Sequence, residues 1–370
     1  MSQLSHYLNL ARQALELQNQ EEAENYVQSA LQEPGGLESP EALEVTAQLF
    51  SYSGDFDSAK ECLNRAVEND KESLGREVDE SSTINADEKD GMVRRLLALG
   101  ELNEGSDSLE LYNSALAILE QRNMSDNSQK EQMSLISCSI AELFLSVPLC
   151  DDPKAQEKCL QNIEKALNFD SKNVDAWSLK TSYFISSEDQ PAAKRCLEKA
   201  LNIFDQEEKN RQENIKKAEE KAAAGPFGDN SEEPNLDISC NLTHSQITRL
   251  IQLSTELGNY EKAISLGESI TNYDKTQYRV WYYMAWAGFL SKNEELLDDT
   301  RQYLKECKDL LISLKKLKEF SADEIGLLQH VNEMIEETGG ALPEIDISGI
   351  KDEEVEASLE VDENGDATME

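Results

Sequence analysis

Apolar and small residues recur along this chain at three- and four-residue intervals, in blocks that come in pairs. The clearest pair is Asn173 to Asp205. Trp177, Thr181 and Phe184 share one helical face there, and beyond a polar turn Ala193, Leu197 and Ala200 share another. That spacing predicts two amphipathic helices packed antiparallel. Small residues in mid-helix let the two axes approach closely. The preceding segment repeats the second half of the pattern, with Ala166 standing 34 residues before Ala200.

The same pairing extends in both directions. Ser5 to Gln32 carries Tyr7, Leu10, Ala11 and Ala14 on one face, a turn at Asn19-Gln20, and Ala23, Val27 and Ala30 on the next face. Pro40 to Asp70 carries Leu43, Ala47 and Phe50, then the turn Ser53-Gly54-Asp55. Its Ala59, Leu63 and Ala66 repeat Ala23, Val27 and Ala30 at a displacement of 36. A third unit is predicted over Gly91 to Arg122, with a long polar turn G-E-L-N-E-G-S-D-S between Leu99 and Tyr112. A fourth spans Gln129 to Asn168, with Ile140, Ala141 and Phe144 before an extended loop and Cys159, Ile163 and Ala166 after it. A sixth begins at Thr243, with Ile247, Leu250 and Ile251, a turn at Leu257 to Tyr260, then Ala263, Gly267 and Ile270. In a seventh, Trp281 and Ala285 follow Ile247 and Ile251 by 34 residues, and Leu297, Leu304 and Leu311 mark its second helix. Ser321-Ala322-Asp323-Glu324 reads as a capping box. It opens a last helix with Ile325, Leu328, Val331 and Ile335, suited to cover a terminal apolar face.

This helix-pair pattern and its period resemble the tetratricopeptide repeat. The fold class expected is all-α, a tetratricopeptide-repeat helical solenoid of about seven helix pairs plus a C-terminal capping helix. The superhelix is expected over residues 1–338. An acidic insertion at 71–90 interrupts it, as do a charged helical extension and loop at 206–242. The extension is predicted to run into solvent, held by Glu–Lys pairs three or four apart. Residues 339–370 form an acidic tail that is expected to be disordered.

Composition narrows the function. The chain has 35 Lys plus Arg against 74 Asp plus Glu. Such a surface repels nucleic acid and anionic membranes and attracts basic partners. The N-terminus lacks signal-peptide architecture, and no apolar run is long enough to span a bilayer. The seven Cys include no C-x-x-C pair and are read as reduced, intracellular thiols. His6, His244 and His330 lie far apart, and no metal, phosphate-loop or nucleophile-elbow motif occurs. The expectation is a binding protein with no enzymatic activity, cofactor or metal.

In a helix-pair solenoid the first helix of each unit lines the concave face. Projecting the pattern puts Glu41, Glu44, Glu101, Glu142 and Asp175 there, with Tyr282, Tyr283 and Trp286 in the last unit. Carboxylates and aromatic faces suit a Lys/Arg-rich segment, through charge pairs, cation–π contacts and cover for long stems. A grip on a chaperone's C-terminal carboxylate would need Lys, Asn and Arg on three consecutive first helices. The matching positions hold Leu8 and Arg12, then Val45, then Asp90 and Arg94, so the Lys and Asn are missing.

The telling stretches are L-G-E-L-N-E-G-S-D-S-L-E-L-Y at Leu99 to Tyr112, S-I-A-E-L-F-L at Ser139 to Leu145, and the unit Ile247 to Ile270 followed by V-W-Y-Y-M-A-W-A-G-F at Val280 to Phe289; of these, L-G-E-L-N-E-G and W-Y-x-x-A-W are not generic repeat. With the order of repeats and the acidic tail, they resemble the eukaryotic assembly chaperones of large-subunit ribosomal protein four. The resemblance runs from about residue 5 to residue 343. It implies a dedicated, non-enzymatic holdase that binds a basic, extended internal loop of the newly made ribosomal protein, accompanies it from cytoplasm to nucleus and delivers it to the pre-ribosome. The rivals are a generic tetratricopeptide scaffold and a histone-type acidic chaperone.

Overall fold

A computed structural model describes residues 2–17, 19–76, 86–121, 127–146, 149–223, 242–272, 274–317 and 320–339. These residues form fifteen α-helices and no strand. In order they are α1 (Gln3–Glu16), α2 (Gln20–Gln32), α3 (Pro40–Tyr52), α4 (Phe56–Arg76), α5 (Ala86–Leu102), α6 (Gly105–Glu120), α7 (Asn127–Leu143) and α8 (Ala155–Phe169). Then follow α9 (Val174–Ser186), α10 (Gln190–Ala223), α11 (His244–Glu256), α12 (Tyr260–Thr271), α13 (Tyr278–Ser291), α14 (Leu297–Leu317) and α15 (Ala322–Glu337). The chain divides into two compact units, Met1–Leu253 and Ser254–Glu370. The expected tail at 339–370 lies outside the described residues beyond Gly339.

One turn chemistry recurs at four helix-pair corners. A backbone N–H reaches the carbonyl five residues back, from Asn19 to Ala14 at 2.8 Å, Asp55 to Phe50 at 2.9 Å, Asp189 to Phe184 at 2.9 Å and Asn259 to Ser254 at 2.7 Å. Such closures satisfy carbonyls that the helix end leaves orphaned. The residue before three of them is left-handed: Gly54, Glu188 and Gly258. Three of the same Asn and Asp residues then cap the next helix, accepting from the N–H of Glu22, Ser58 and Ala192. Four residues on from each corner stands an alanine with no exposed surface: Ala23, Ala59, Ala193 and Ala263. The corner thus fixes the phase of the second helix, and the alanine lets it meet the first.

The first unit packs the pairs α1/α2, α3/α4, α5/α6, α7/α8 and α9/α10. Its third pair departs from expectation. The polar stretch after Leu99 is not a long turn, because α5 runs on to Leu102 and α6 starts at Gly105. Three contacts explain the tightening. A side chain at Gly100 would stand 2.6 Å from the Tyr112 ring, Ser108 Oγ donates to the Gly100 carbonyl at 2.5 Å, and Asn103 donates to the Leu99 carbonyl at 2.7 Å. The L-G-E-L-N-E-G-S-D-S-L-E-L-Y segment is therefore a close helix crossing with its own cap chemistry.

The interruptions are also more helical than expected. Residues 71–76 are the last turn and a half of α4, and 86–90 open α5, while 77–85 lie outside the described residues. The charged extension 206–223 continues α10, but one face of it is covered. The Glu208–Arg211 pair is 2.7 Å apart, with its side chains only 19% and 11% exposed.

In the second unit α15 does pack as a terminal cover. Val331, Met334 and Ile335 join Ala285, Leu304, Cys307 and Leu311 in one core. The capping box at Ser321 and Glu324 is fully formed. Of the three leucines read for α14, Leu304 and Leu311 are fully buried and Leu297 is exposed. Small residues again set the crossings, since a side chain at Gly288 would collide with Thr300 and one at Gly267 with Met284.

A buried ion network joins the second and third pairs. Arg95 on α5 is 1% exposed and donates to both Asp70 carboxylate oxygens, at 2.7 and 2.8 Å, and to Glu44 at 2.8 Å. Burial works against the guanidinium charge. Hydrogen bonds to Asp70 and the charges of Asp70 and Glu44 outweigh it, holding Arg95 above its ordinary value. A planar, bidentate donor suits this role and a lysine does not. Arg95→Ala leaves Asp70 buried without its partner and Glu44 with only the exposed Arg94, a loss expected to cost about 3–5 kcal/mol. Urea unfolding checks it, and a loss under about 1 kcal/mol would contradict the assignment.

Candidate functional site

Three of the acidic residues projected from the sequence come together in the first unit. Glu101 lies on α5, Glu142 on α7 and Asp175 on α9, each on a first helix of its pair. Glu101 and Glu142 occupy equivalent positions 41 residues apart, at the C-terminal ends of their helices. Both are exposed to solvent, yet burial raises the carboxyl of each above the ordinary value. A side chain that touches water and is still desolvated is walled by protein on its other sides, as in a groove. The Tyr112 hydroxyl, raised by burial, is raised further by both Glu101 and Glu142. Glu142 is raised further by Asp175 and lowered by Arg249. Asp175 is half-buried and raised by burial, opposed by a 2.6 Å hydrogen bond from Gln246 and by the Arg249 charge.

The remaining candidates sit elsewhere. Glu44 is 6% exposed and held by Arg95 and Arg94, at 2.8 and 3.2 Å, so it is a structural anion and not a free groove carboxylate. Projection alone could not separate it from Glu101, because Arg95 belongs to another pair. Glu41 is exposed and accepts from Ser39 Oγ at 2.9 Å. Tyr282, Tyr283 and Trp286 are half-buried in the second unit. Tyr282 stacks on Trp286 with ring centroids 6.1 Å apart, and its hydroxyl meets His330 Nδ1 of α15 at 2.9 Å. Burial pushes the Tyr282 hydroxyl up to about 12. Tyr282 and Trp286 bind α13 to the capping helix through His330.

The sequence reading missed Arg249 and Gln246 on α11, because it searched the first helices for acids and aromatics only. The signal was available. Arg249 falls between Ile247 and the buried Leu250 and Ile251, on the adjoining face of the same helix.

Cys62, Cys138, Cys150, Cys159, Cys196 and Cys307 are free, and burial pushes Cys159 up to about 11 and Cys307 to about 12. Among the described residues no cluster of His, Cys, Asp and Glu is arranged to hold a metal, and no helix is long and apolar enough to cross a membrane.

Comparison with models of known protein families gives no match. The chain is 24% identical over 339 residues to the "probable assembly chaperone of rpl4" of Schizosaccharomyces pombe, covering 88% of this chain and 87% of that one. Among solved structures it matches residues 1–338 of the assembly chaperone of RpL4 (Acl4) with a TM-score of 0.55 and 20% identity, covering 79% of this chain and 98% of that one. The structural match shows a shared fold, the tetratricopeptide-repeat helical solenoid read from the sequence. The resemblance first drawn from three short segments is thus a similarity, over nearly the whole length of the chain, to the assembly chaperones of this ribosomal protein.

Proposed function

We propose that this chain is a dedicated assembly chaperone of large-subunit ribosomal protein four. It works without catalysis or cofactor, by holding a basic, extended internal loop of the newly made protein and releasing it at the pre-ribosome. The observation that carries this reading is the near end-to-end correspondence with the yeast relative. The groove on the first unit supports it. Glu101, Glu142 and Asp175 are partly desolvated and set on successive first helices. A basic loop has no core of its own before it meets ribosomal RNA. Carboxylates relieve its self-repulsion and compete with nonspecific RNA. Salt limits that attraction to about 8 Å, so the cargo must enter the groove to be held. The net charge, 35 basic against 74 acidic residues, keeps nucleic acid and anionic membrane away. The cargo's path leads this chain from cytoplasm to nucleus, and the aromatic face around Tyr283 and Trp286 adds cation–π contacts.

Affinity capture of the tagged full chain tests the partner. One stoichiometric basic ribosomal protein is the expected outcome; histones or a multi-subunit scaffold would refute it. Replacing Glu101, Glu142 and Asp175 with Gln, Gln and Asn should weaken binding of the basic loop peptide. Each lost charge is worth about 1 kcal/mol in a partly exposed site, so roughly a hundredfold is expected for the three. The salt dependence of binding should flatten with it.

The same carboxylates lower stability at neutral pH. Each has a folded-state value above its unfolded one, so the folded chain holds these protons more tightly. Their contribution therefore improves as pH falls through the raised values toward the ordinary carboxylate range, and worsens as pH rises. Glu142→Gln is expected to melt above wild type at pH 7 while binding cargo less well. The difference in melting temperature should shrink as the pH drops toward 4.5. A melting temperature unchanged or lowered at pH 7 would contradict the desolvation.

A further inference from the structure

Arg249 stands at the end of the acidic row, and its position raises a question that charge alone does not answer. It is half-buried on α11, and among the described residues its one hydrogen bond is a donation to Ser182 Oγ on α9 at 3.1 Å. A guanidinium carries five N–H donors in a fixed plane, so most of its donor capacity is unspent. Ser178, on the same face of α9 between Asp175 and Ser182, is 3% exposed with its hydroxyl unpaired among the described residues. Around them Glu142 and Asp175 offer only acceptors, and the amide of Gln246 is already committed to Asp175.

An extended segment brings to such a groove as many backbone carbonyls as N–H groups. Carboxylates satisfy its N–H groups and its cationic side chains. Its carbonyls need donors, and a buried carbonyl left without one costs about 1–3 kcal/mol. Building on the chaperone reading above, we infer that Arg249 is a specificity-determining clamp. Its free N–H groups take main-chain carbonyl oxygens of the bound segment, beside the point where a basic side chain lies between Glu142 and Asp175. A groove of carboxylates alone would accept a basic segment in any register and either direction. A fixed donor at one end gives it one register.

The clamp makes a prediction opposite in sign to simple electrostatics. Removing a cation from an acidic groove should, by charge alone, tighten a basic peptide. The clamp requires that it weaken. The test measures binding of a fluorescein-labelled Lys/Arg-rich peptide from the internal loop of ribosomal protein four to the full chain. Arg249→Ala should lose about tenfold in affinity, the size of one charge-assisted hydrogen bond. Arg249→Gln keeps two donors without the charge and should fall between wild type and Arg249→Ala. Ser182→Ala releases the helix-to-helix bond but leaves the guanidinium, and should stay within about twofold. Melting curves accompany each variant. If Arg249→Ala does not fold, the order of wild type, Arg249→Gln and Ser182→Ala decides. Tighter or unchanged binding by Arg249→Gln overturns the clamp, as does a loss with Ser182→Ala as large as with Arg249→Gln. A peptide in which acidic side chains are replaced by Ala must show the same ordering, which assigns the contact to the main chain; loss of the effect there overturns the carbonyl assignment. Absence of any binding to wild type would instead count against the chaperone reading itself.

Discussion

Everything on the surface of this chain depends on how closely two helices can approach at their crossing. Ala23, Ala59, Ala193 and Ala263 have no exposed surface, and each follows a corner Asn or Asp by four residues. Larger side chains there would push the helices apart, and each methylene added to a packed crossing costs by strain. With the crossing fixed, the rotation of each first helix is fixed too. That rotation decides which side chains face the next pair and which line the groove. In the third pair the close crossing is set by Gly100 under the Tyr112 ring, next to Glu101.

Much of this was legible in the sequence, because periodicity reports burial on a helix directly. The register, the corners at Asn19, Asp55 and Gly258, and the capping box at Ser321 could all be read from spacing. Failures came where one residue's role depends on another far away in sequence. Nothing local to Glu44 tells that Arg95, 51 residues on, will bury it. Nothing in G-E-L-N-E-G shows that Gly100 lies under the Tyr112 ring. The polar letters suggested a loop, when they are a glycine crossing and two side chains bonded to backbone carbonyls. Acidic composition likewise suggested that the repeat breaks off at residue 71, yet helix continues on to Arg76. Charge indicates exposure only where no partner is folded against it.

The contrast between two sets of carboxylates carries the functional argument further than net charge does. Glu44 and Asp70 are buried and share the Arg95 guanidinium, with Arg94 as a second partner of Glu44. Glu101 and Glu142 are partly desolvated, and their carboxylates have no hydrogen bond among the described residues. A fold under selection for stability alone would replace such groups with neutral ones of the same shape. A carboxyl in a partly dry setting with no hydrogen-bonded partner is characteristic of a functional site. The cost is tolerable because a solenoid shares it among repeats, each stabilised by its neighbours.

Such a site faces a difficulty that more charge would worsen. A strongly acidic groove captures basic segments quickly but distinguishes them poorly, since screened attraction depends on charge density and little on sequence. Selectivity has to come from groups that act at contact range and in a fixed direction. In the first unit the group with that character is Arg249, a planar donor on α11 whose charge acts on both Glu142 and Asp175. On the proposed reading it reduces the attraction for a basic cargo slightly and restricts how that cargo can lie. An interaction that lowers raw affinity for basic chains in general, while favouring one backbone register, is what a chaperone dedicated to a single loop requires.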